Sequence, residues 1–476
     1  MKLIGLYAVA AALGGILLAT LPARAHAATP CEQLTALALP HATVTAAQVV
    51  PAGAGTACKI RVTSRPTADS DIRIEVWIPA GDAWNGRYVQ LGNGGFAGSI
   101  RSSGLAGLAA LGYAVAATDD GHQSAIGTDA SWAIRHPEKL VDFGWRALKE
   151  TTVDAKALIR AYRGAAPKYA YFNGCSDGGR EALMEAQRFP DDFDGIVAGA
   201  PAYNFSGLLT LGAYYMQALN APGGYLPADK LKVLETAALA ACGGGAYIAN
   251  PLACHFDPRS TACPGGQDQP GCLSAAQVAT ARDLYRGLVS ANGRLLYPGY
   301  SPGGEAETGG WGVWVTGASL AENSKALIHG FASGFWGGFV FGDPNYDILK
   351  LDIATAPGQA AKVAAIVNST DPNLAPFRAH GGKLIQYHGW NDPAIPPRGS
   401  IVYYENVRAT MGDVDGFYRL YLIPGMLHCG GGQGPGSVAW LGLIQDWVEA
   451  GKPPHDVVAK SAKGQQTLHP YAHRGT

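Results

Sequence analysis

The pentapeptide Gly174-Cys175-Ser176-Asp177-Gly178 follows a β-prone run, Tyr169 to Phe172, and opens a helical pattern, about Gly179 to Phe189, that stops before Pro190. A G-x-S-x-G pattern set between a strand and a helix restricts the fold strongly. It calls for a sharp turn whose glycines let the serine oxygen stand above the carboxyl edge of a sheet. The competing reading is an ordinary strand-to-helix turn.

Around this turn the chain alternates. Arg87 to Leu91, Tyr113 to Thr118, Lys168 to Phe172 and Gly195 to Ala198 are apolar, β-rich runs, each followed by turn residues and helical pattern. Such a rhythm predicts a mostly parallel sheet with helices on both faces. It breaks between about Tyr203 and Ala365, where four cysteines, many glycines and the aromatic stretch Phe331 to Phe341 replace it. It resumes with Lys383 to Tyr387, a helix near Ser400 to Met411, the strand Tyr418 to Ile423 and a closing helix Val438 to Glu449. The expected architecture is an α/β-hydrolase core formed by residues 28–203 and 366–476, with a large inserted lid domain at 204–365.

A serine hydroxyl is a weak nucleophile until a base takes its proton, so a histidine should follow, with a carboxylate between the two in chain order. Of the 12 histidines, His428 stands just past the strand Tyr418 to Ile423, where a loop presents it at the carboxyl edge. His388 and His380 compete, and His388 reads better as a structural residue at the end of its strand. Asp392 follows the strand Lys383 to Tyr387, one strand before the histidine, where this fold keeps its acid. Its competing reading is a turn aspartate before Pro393. Ser176, Asp392 and His428 thus appear in the chain order of α/β-hydrolases.

An oxyanion hole needs two backbone N–H groups, one from the residue after the nucleophile and one from a loop after an earlier strand. Asp177 supplies the first by position. The glycine loop Gly92-Asn93-Gly94-Gly95-Phe96, after Arg87 to Leu91, can supply the second, with Gly95 preferred to Gly94. The same loop lacks the lysine of a P-loop and the three-glycine spacing of a dinucleotide site, which speaks against nucleotide binding.

Composition narrows the compartment and the partners. Lys2 precedes an apolar run, Leu3 to Leu18, then the small residues Ala23-Arg24-Ala25-His26-Ala27, so residues 1–27 read as an export signal rather than an uncleaved anchor. No stable membrane insertion is expected after cleavage, and the mature protein should be secreted or periplasmic. All eight cysteines lie beyond the signal, an even number that favours disulfides in an oxidising compartment. None forms a C-x-x-C pair, a poor pattern for zinc. With 36 basic against 37 acidic residues there is no basic excess that would suggest nucleic acid. Nothing in the chain indicates an oligomeric state.

Cys175 and Cys429 each adjoin a candidate catalytic residue. If Ser176 and His428 meet, their neighbours come within the roughly 5–6 Å between Cα atoms that a disulfide needs. Two unrelated core residues, or a reactive thiol at Cys175, are the alternatives.

The pairing of Cys-Ser with His-Cys, together with Trp84-Asn85-Gly86-Arg87, the glycine loop, Thr118-Asp119-Asp120-Gly121-His122, Cys254-His255-Phe256-Asp257-Pro258 and Pro424-Gly425-Met426-Leu427-His428-Cys429, resembles the tannase and feruloyl esterase family, which also includes mono(2-hydroxyethyl) terephthalate hydrolase. The resemblance implies hydrolysis of small esters of aromatic acids such as gallate, ferulate or related hydroxycinnamates. It implies the disulfide Cys175–Cys429 and suggests Cys31–Cys58, Cys242–Cys254 and Cys263–Cys272.

Two departures matter. Family members bind a lid calcium through an aspartate-rich loop between the cysteines matching Cys242 and Cys254, whereas this interval holds no carboxylate. The lid calcium is therefore expected to be absent, leaving no metal and no cofactor. Where terephthalate-type members carry a clamping arginine, this chain reads Phe335-Trp336-Gly337-Gly338-Phe339-Val340-Phe341. A substrate with a free acid group is disfavoured unless Arg378, Lys325 or Arg398 substitutes. Trp336, Phe339 and Phe341 are the candidate contacts to an aromatic acyl ring, with a buried lid core as the alternative. The rival readings are a hydrolase of aromatic polyester fragments and a catalytically silent binding protein on the same fold.

Overall fold

The computed structural model describes residue 1 and residues 28–290 and 292–472. The expected export signal lies outside them except for Met1. No helix among the described residues is long and apolar enough to cross a membrane.

Among the described residues thirteen strands occur in chain order: β1 Ala42–Ala52, β2 Gly55–Ser64, β3 Ile72–Pro79, β4 Arg87–Leu91, β5 Ala114–Thr118, β6 Tyr169–Cys175, β7 Gly195–Gly199, β8 Gly287–Val289, β9 Leu295–Pro298, β10 Lys383–Gly389, β11 Tyr418–Ile423, β12 Val457–Ser461 and β13 Gly464–Leu468. Nine of them form one sheet in the order β1-β2-β3-β5-β4-β6-β7-β10-β11. β4, β5, β6, β7, β10 and β11 pair in parallel, as the alternating rhythm predicts. β1, β2 and β3 extend the sheet as antiparallel strands on the β5 side. This is an α/β-hydrolase-like sheet, mixed rather than purely parallel.

The sheet side chains alternate between two cores, as a pleat of period two requires. Phe172, Leu384 and Leu420 face a core closed by Leu158 and Leu183, from the helices Ala147–Arg163 and Asp177–Arg188. Their neighbours Tyr171, Ile385 and Tyr421 face the opposite core, closed by Leu105 and Ile444 from the helices Ser102–Ala110 and Trp440–Ala450. β5 and β7 are buried along their whole length, which explains their small apolar residues.

Between β7 and β10 the chain leaves the sheet. Its helices Phe205–Asn220, Ala275–Arg286 and Leu327–Ser333 and the short β8–β9 ribbon build a third core, with Leu211, Tyr215, Met216, Leu284, Phe335 and Trp336 inside. All eight cysteines are paired. Cys31–Cys58 ties the N-terminal turn to β2, and Cys242–Cys254 and Cys263–Cys272 lie within the inserted stretch. Cys175–Cys429 joins the end of β6 to the segment after β11, across 254 residues of chain.

Candidate active site

The parallel registers bring several strand ends to one edge, the usual place for a ligand in such a sheet. Leu91 of β4 pairs with Asn173 of β6, Cys175 with Gly199 of β7, and Gly389 of β10 with Ile423 of β11. Ser176 sits where β6 turns into the helix Asp177–Arg188, with φ 68° and ψ −122°. A non-glycine residue held there is strained by about 1–3 kcal/mol and persists only because its surroundings fix it. They do: the Ser176 N–H donates to the Gly199 carbonyl at 2.9 Å, and the Ser176 carbonyl accepts from the amides of Gly179 and Arg180. Gly178 must be glycine because a Cβ there would lie 2.8 Å from the Asn93 carbonyl oxygen.

Three candidate residues meet. Ser176 Oγ lies 2.8 Å from His428 Nε2, and His428 Nδ1 lies 2.7 Å from Asp392 Oδ2. A carboxylate only accepts, so Nδ1 carries the proton and Nε2 faces the serine as the acceptor. Asp392 accepts four bonds. Oδ1 takes the amides of Ala394 and Ile395 at 2.8 and 2.9 Å, and Oδ2 takes His388 Nε2 at 3.1 Å as well as His428. Burial alone would push this carboxyl up, but the neighbouring His428 and the donated bonds hold it well below the usual carboxylate range. His388 is fully buried, with Nδ1 on the Ser400 hydroxyl at 2.7 Å, so it orients the acid, the structural placement its position at the end of a strand predicts.

The two amides expected to form an oxyanion hole border the same cavity. Gly95 has φ +63°, and a Cβ there would lie 2.6 Å from the Gly127 carbonyl oxygen, so only glycine fits. Asn93 holds the glycine loop in place. Its N–H donates to Glu181 Oε2 at 2.9 Å, and its carbonyl accepts from the Gly178 amide at 2.9 Å. The helix that presents the serine thereby also sets the loop that carries Gly94 and Gly95.

Behind this junction Arg180, fully buried, pairs with Asp177 at 2.5 Å and donates to the carbonyls of Gly144 and Phe143. Asp120 and Glu181 bring two more buried carboxylates within 4.8 Å of Asp177. Burial, with the Asp177 charge adding to it, lifts Glu181 to about 7, and burial beside Glu181 pushes Asp120 well above its usual range. Arg180 is the cation that faces this cluster and partly offsets its charge. A carboxyl raised from 4.5 to about 7 stabilises the fold below its unfolded value, and that contribution is lost as pH rises through the folded one. The melting temperature of Glu181→Gln is therefore expected to fall less than that of wild type across this window. Parallel curves in a thermal-shift titration would contradict the assignment.

The cavity at this edge has a volume of about 650 Å³ and is lined by Ser176, His428, Gly95 and Asp177. Its aromatic lining is Phe205, Trp314, Phe331 and Tyr387. Trp314 packs edge-on against His428 with centroids 5.2 Å apart, and lies parallel to Phe331. This corrects the expectation for Trp336, Phe339 and Phe341, none of which lines the cavity. Trp336 is 0 % and Phe339 7 % exposed, packed among Phe335, Phe96 and Phe143, whereas Phe341 is 40 % exposed and packs on Tyr346. The cause is helical direction: Ile328 and Phe331 face the cavity from Leu327–Ser333, and the π-helical continuation Gly334–Phe341 turns Phe335, Trp336 and Phe339 inward and leaves Phe341 at the surface. The three cations considered from sequence also lie elsewhere. Lys325 pairs with Glu322 at 2.6 Å, Arg378 rests over Phe417, and Arg398 is absent from the lining. Arg101, which belongs to no motif, does line it.

The Cys175–Cys429 bridge, with Cα atoms 6.0 Å apart, clamps the neighbours of Ser176 and His428 to each other. Replacing both cysteines by alanine is expected to lower turnover about 10²-fold through misplacement of the histidine, with the fold largely kept. Full activity in that variant, measured beside its circular dichroism, would show that the bridge does not set the geometry.

The chain is similar to known proteins in sequence and in fold. The family described as tannase and feruloyl esterase matches residues 58–474. An uncharacterised esterase of Xanthomonas campestris is 36% identical over 97% of this chain and 90% of its own length. A probable feruloyl esterase B-2 of Aspergillus terreus is 32% identical over 88% and 81%. Among solved structures, feruloyl esterase B from Aspergillus oryzae superposes with a TM-score of 0.84 at 27% identity, covering 93% of this chain and 95% of its own. Tannin acyl hydrolase from Aspergillus niger gives 0.75 at 25% identity, covering 91% and 89%.

Proposed function

The chain belongs to the tannase and feruloyl esterase family and is a carboxylic ester hydrolase, and from that premise we propose that it is an exported serine esterase acting on esters of aromatic acids through an acyl-enzyme. The observation that carries the proposal is the unbroken line from Asp392 through His428 to Ser176, with bonds of 2.7 and 2.8 Å, opening into a cavity with aromatic walls. His428 Nε2 takes the Ser176 proton as Oγ attacks the ester carbonyl. The amides of Asp177 and Gly95 receive the developing oxyanion, a contribution of about 10²–10³ in rate per donor. His428 then returns the proton to the leaving alcohol, and water repeats the sequence on the acyl-enzyme to release the aromatic acid. Four disulfides support export into an oxidising compartment.

Hydrolysis of a panel of methyl gallate, methyl ferulate, mono(2-hydroxyethyl) terephthalate and a short-chain p-nitrophenyl ester tests the substrate class. Turnover of the gallate or ferulate ester is expected. Preference for the terephthalate would redirect the reading to polyester fragments, and no turnover of any member would overturn it in favour of a binding protein.

The calcium that the family resemblance implies does not fit the residues present. Between Cys242 and Cys254 the only side-chain oxygens belong to Tyr247 and Asn250, and Tyr247 packs against Gly425. Calcium takes six to eight oxygens, several of them carboxylate. The proposed enzyme therefore binds no calcium in this loop, and a chelator is expected to leave its melting temperature unchanged. A drop of many degrees would contradict that.

A further inference from the structure

The cavity carries a positive charge that the proposed chemistry does not use. Arg101 precedes the helix Ser102–Ala110, is exposed, and lines the same cavity as Ser176 and His428. Of the other charged side chains in the lining, Asp177 is already paired with Arg180. Among the described residues Arg101 has neither an ion-pair partner nor a side-chain hydrogen bond. The acid facing the start of its helix, Glu75, is committed to Lys59 at 3.2 Å, Arg61 at 3.6 Å and the Trp77 ring N–H at 2.8 Å. A guanidinium left uncompensated at a cavity mouth attracts an anion and offers it a planar pair of donors.

The walls of the cavity differ. Phe205, Leu208, Ile328 and Phe331 come from the inserted stretch and suit an aromatic ring. Arg101 stands with Leu91, Gly104 and Ala117, on the wall formed by the sheet edge and the helix Ser102–Ala110. We propose that Arg101 is an anion subsite of the ester pocket, so that the preferred substrates are aromatic esters that also carry a carboxylate. This rests on the esterase reading above. With the aromatic acyl ring against the wall of the inserted stretch, the carboxylate sits on the alcohol, as in an aromatic ester of a hydroxy acid.

The test compares kcat/KM of wild type, Arg101→Gln and Arg101→Lys on three esters: methyl ferulate, a ferulate ester of a hydroxy acid, and monomethyl terephthalate. Arg101→Gln is expected to lose roughly tenfold or more on the ferulate ester of the hydroxy acid, mainly in KM, and to stay within about twofold on methyl ferulate and on monomethyl terephthalate. Arg101→Lys is expected to keep part of the preference, and added salt to erase it in wild type. A loss confined to monomethyl terephthalate would overturn the alcohol-side subsite. Equal changes on all three esters, or none, would overturn the subsite while leaving the esterase reading intact. Absence of aromatic ester turnover in wild type would overturn that reading and the subsite with it.

Discussion

Ser176→Ala is expected to lower turnover of every ester the protein cleaves by about 10⁶-fold, the loss typical of a nucleophile that works as a unit with its base. The variant removes only Oγ. The backbone at φ 68° stays fixed by the Gly199 carbonyl and the amides of Gly179 and Arg180, and alanine meets no new contact. Its melting temperature should therefore stay within a degree or two of wild type. Product formation followed chromatographically at high enzyme concentration, beside a thermal melt, checks both halves. A loss of tenfold or less in a well-folded variant would mean that another group attacks the carbonyl.

Asp392→Asn carries the second large effect, roughly 10⁴-fold in kcat, and here stability should fall too. Asp392 accepts at both oxygens: two backbone amides on Oδ1 and two imidazoles on Oδ2. Asparagine has one acceptor oxygen, so either orientation points its NH₂ at donors. If the amide faces the amides of Ala394 and Ile395, those buried N–H groups lose their acceptor at about 1–3 kcal/mol each. If it faces the histidines, His428 must turn its proton toward Ser176 and can no longer take the serine proton. Turnover at a tenth of wild type or better would place the orienting acid elsewhere.

The parallel half of the sheet and the three residues now within hydrogen-bond reach were legible because their signals are local. β4 and β11 fall where apolar runs predict them, and the glycines around Ser176 answer to close backbone contacts that only glycine allows. The antiparallel strands β1, β2 and β3 escaped because no α-helix lies between them to mark a strand-helix rhythm, and β1, Ala42–Ala52, is also an edge strand with little buried surface and no clean alternation. The cavity walls were the least legible. Phe331 and Phe339 share one aromatic stretch, yet one faces the cavity and the other the core, since the π-helical turn that separates them leaves no mark in composition. Trp314 and Arg101 reach the site from segments with no motif, and only tertiary packing brings them there.

The most direct test is covalent. Treating wild type with an aryl organophosphonate that labels activated serines, then mapping the digested chain by mass spectrometry, is predicted to place one adduct per chain on the peptide containing Ser176, with activity lost in proportion and no adduct in Ser176→Ala. Complete inactivation with the label on another residue, or an unmodified Ser176 in an inactivated enzyme, would contradict the account.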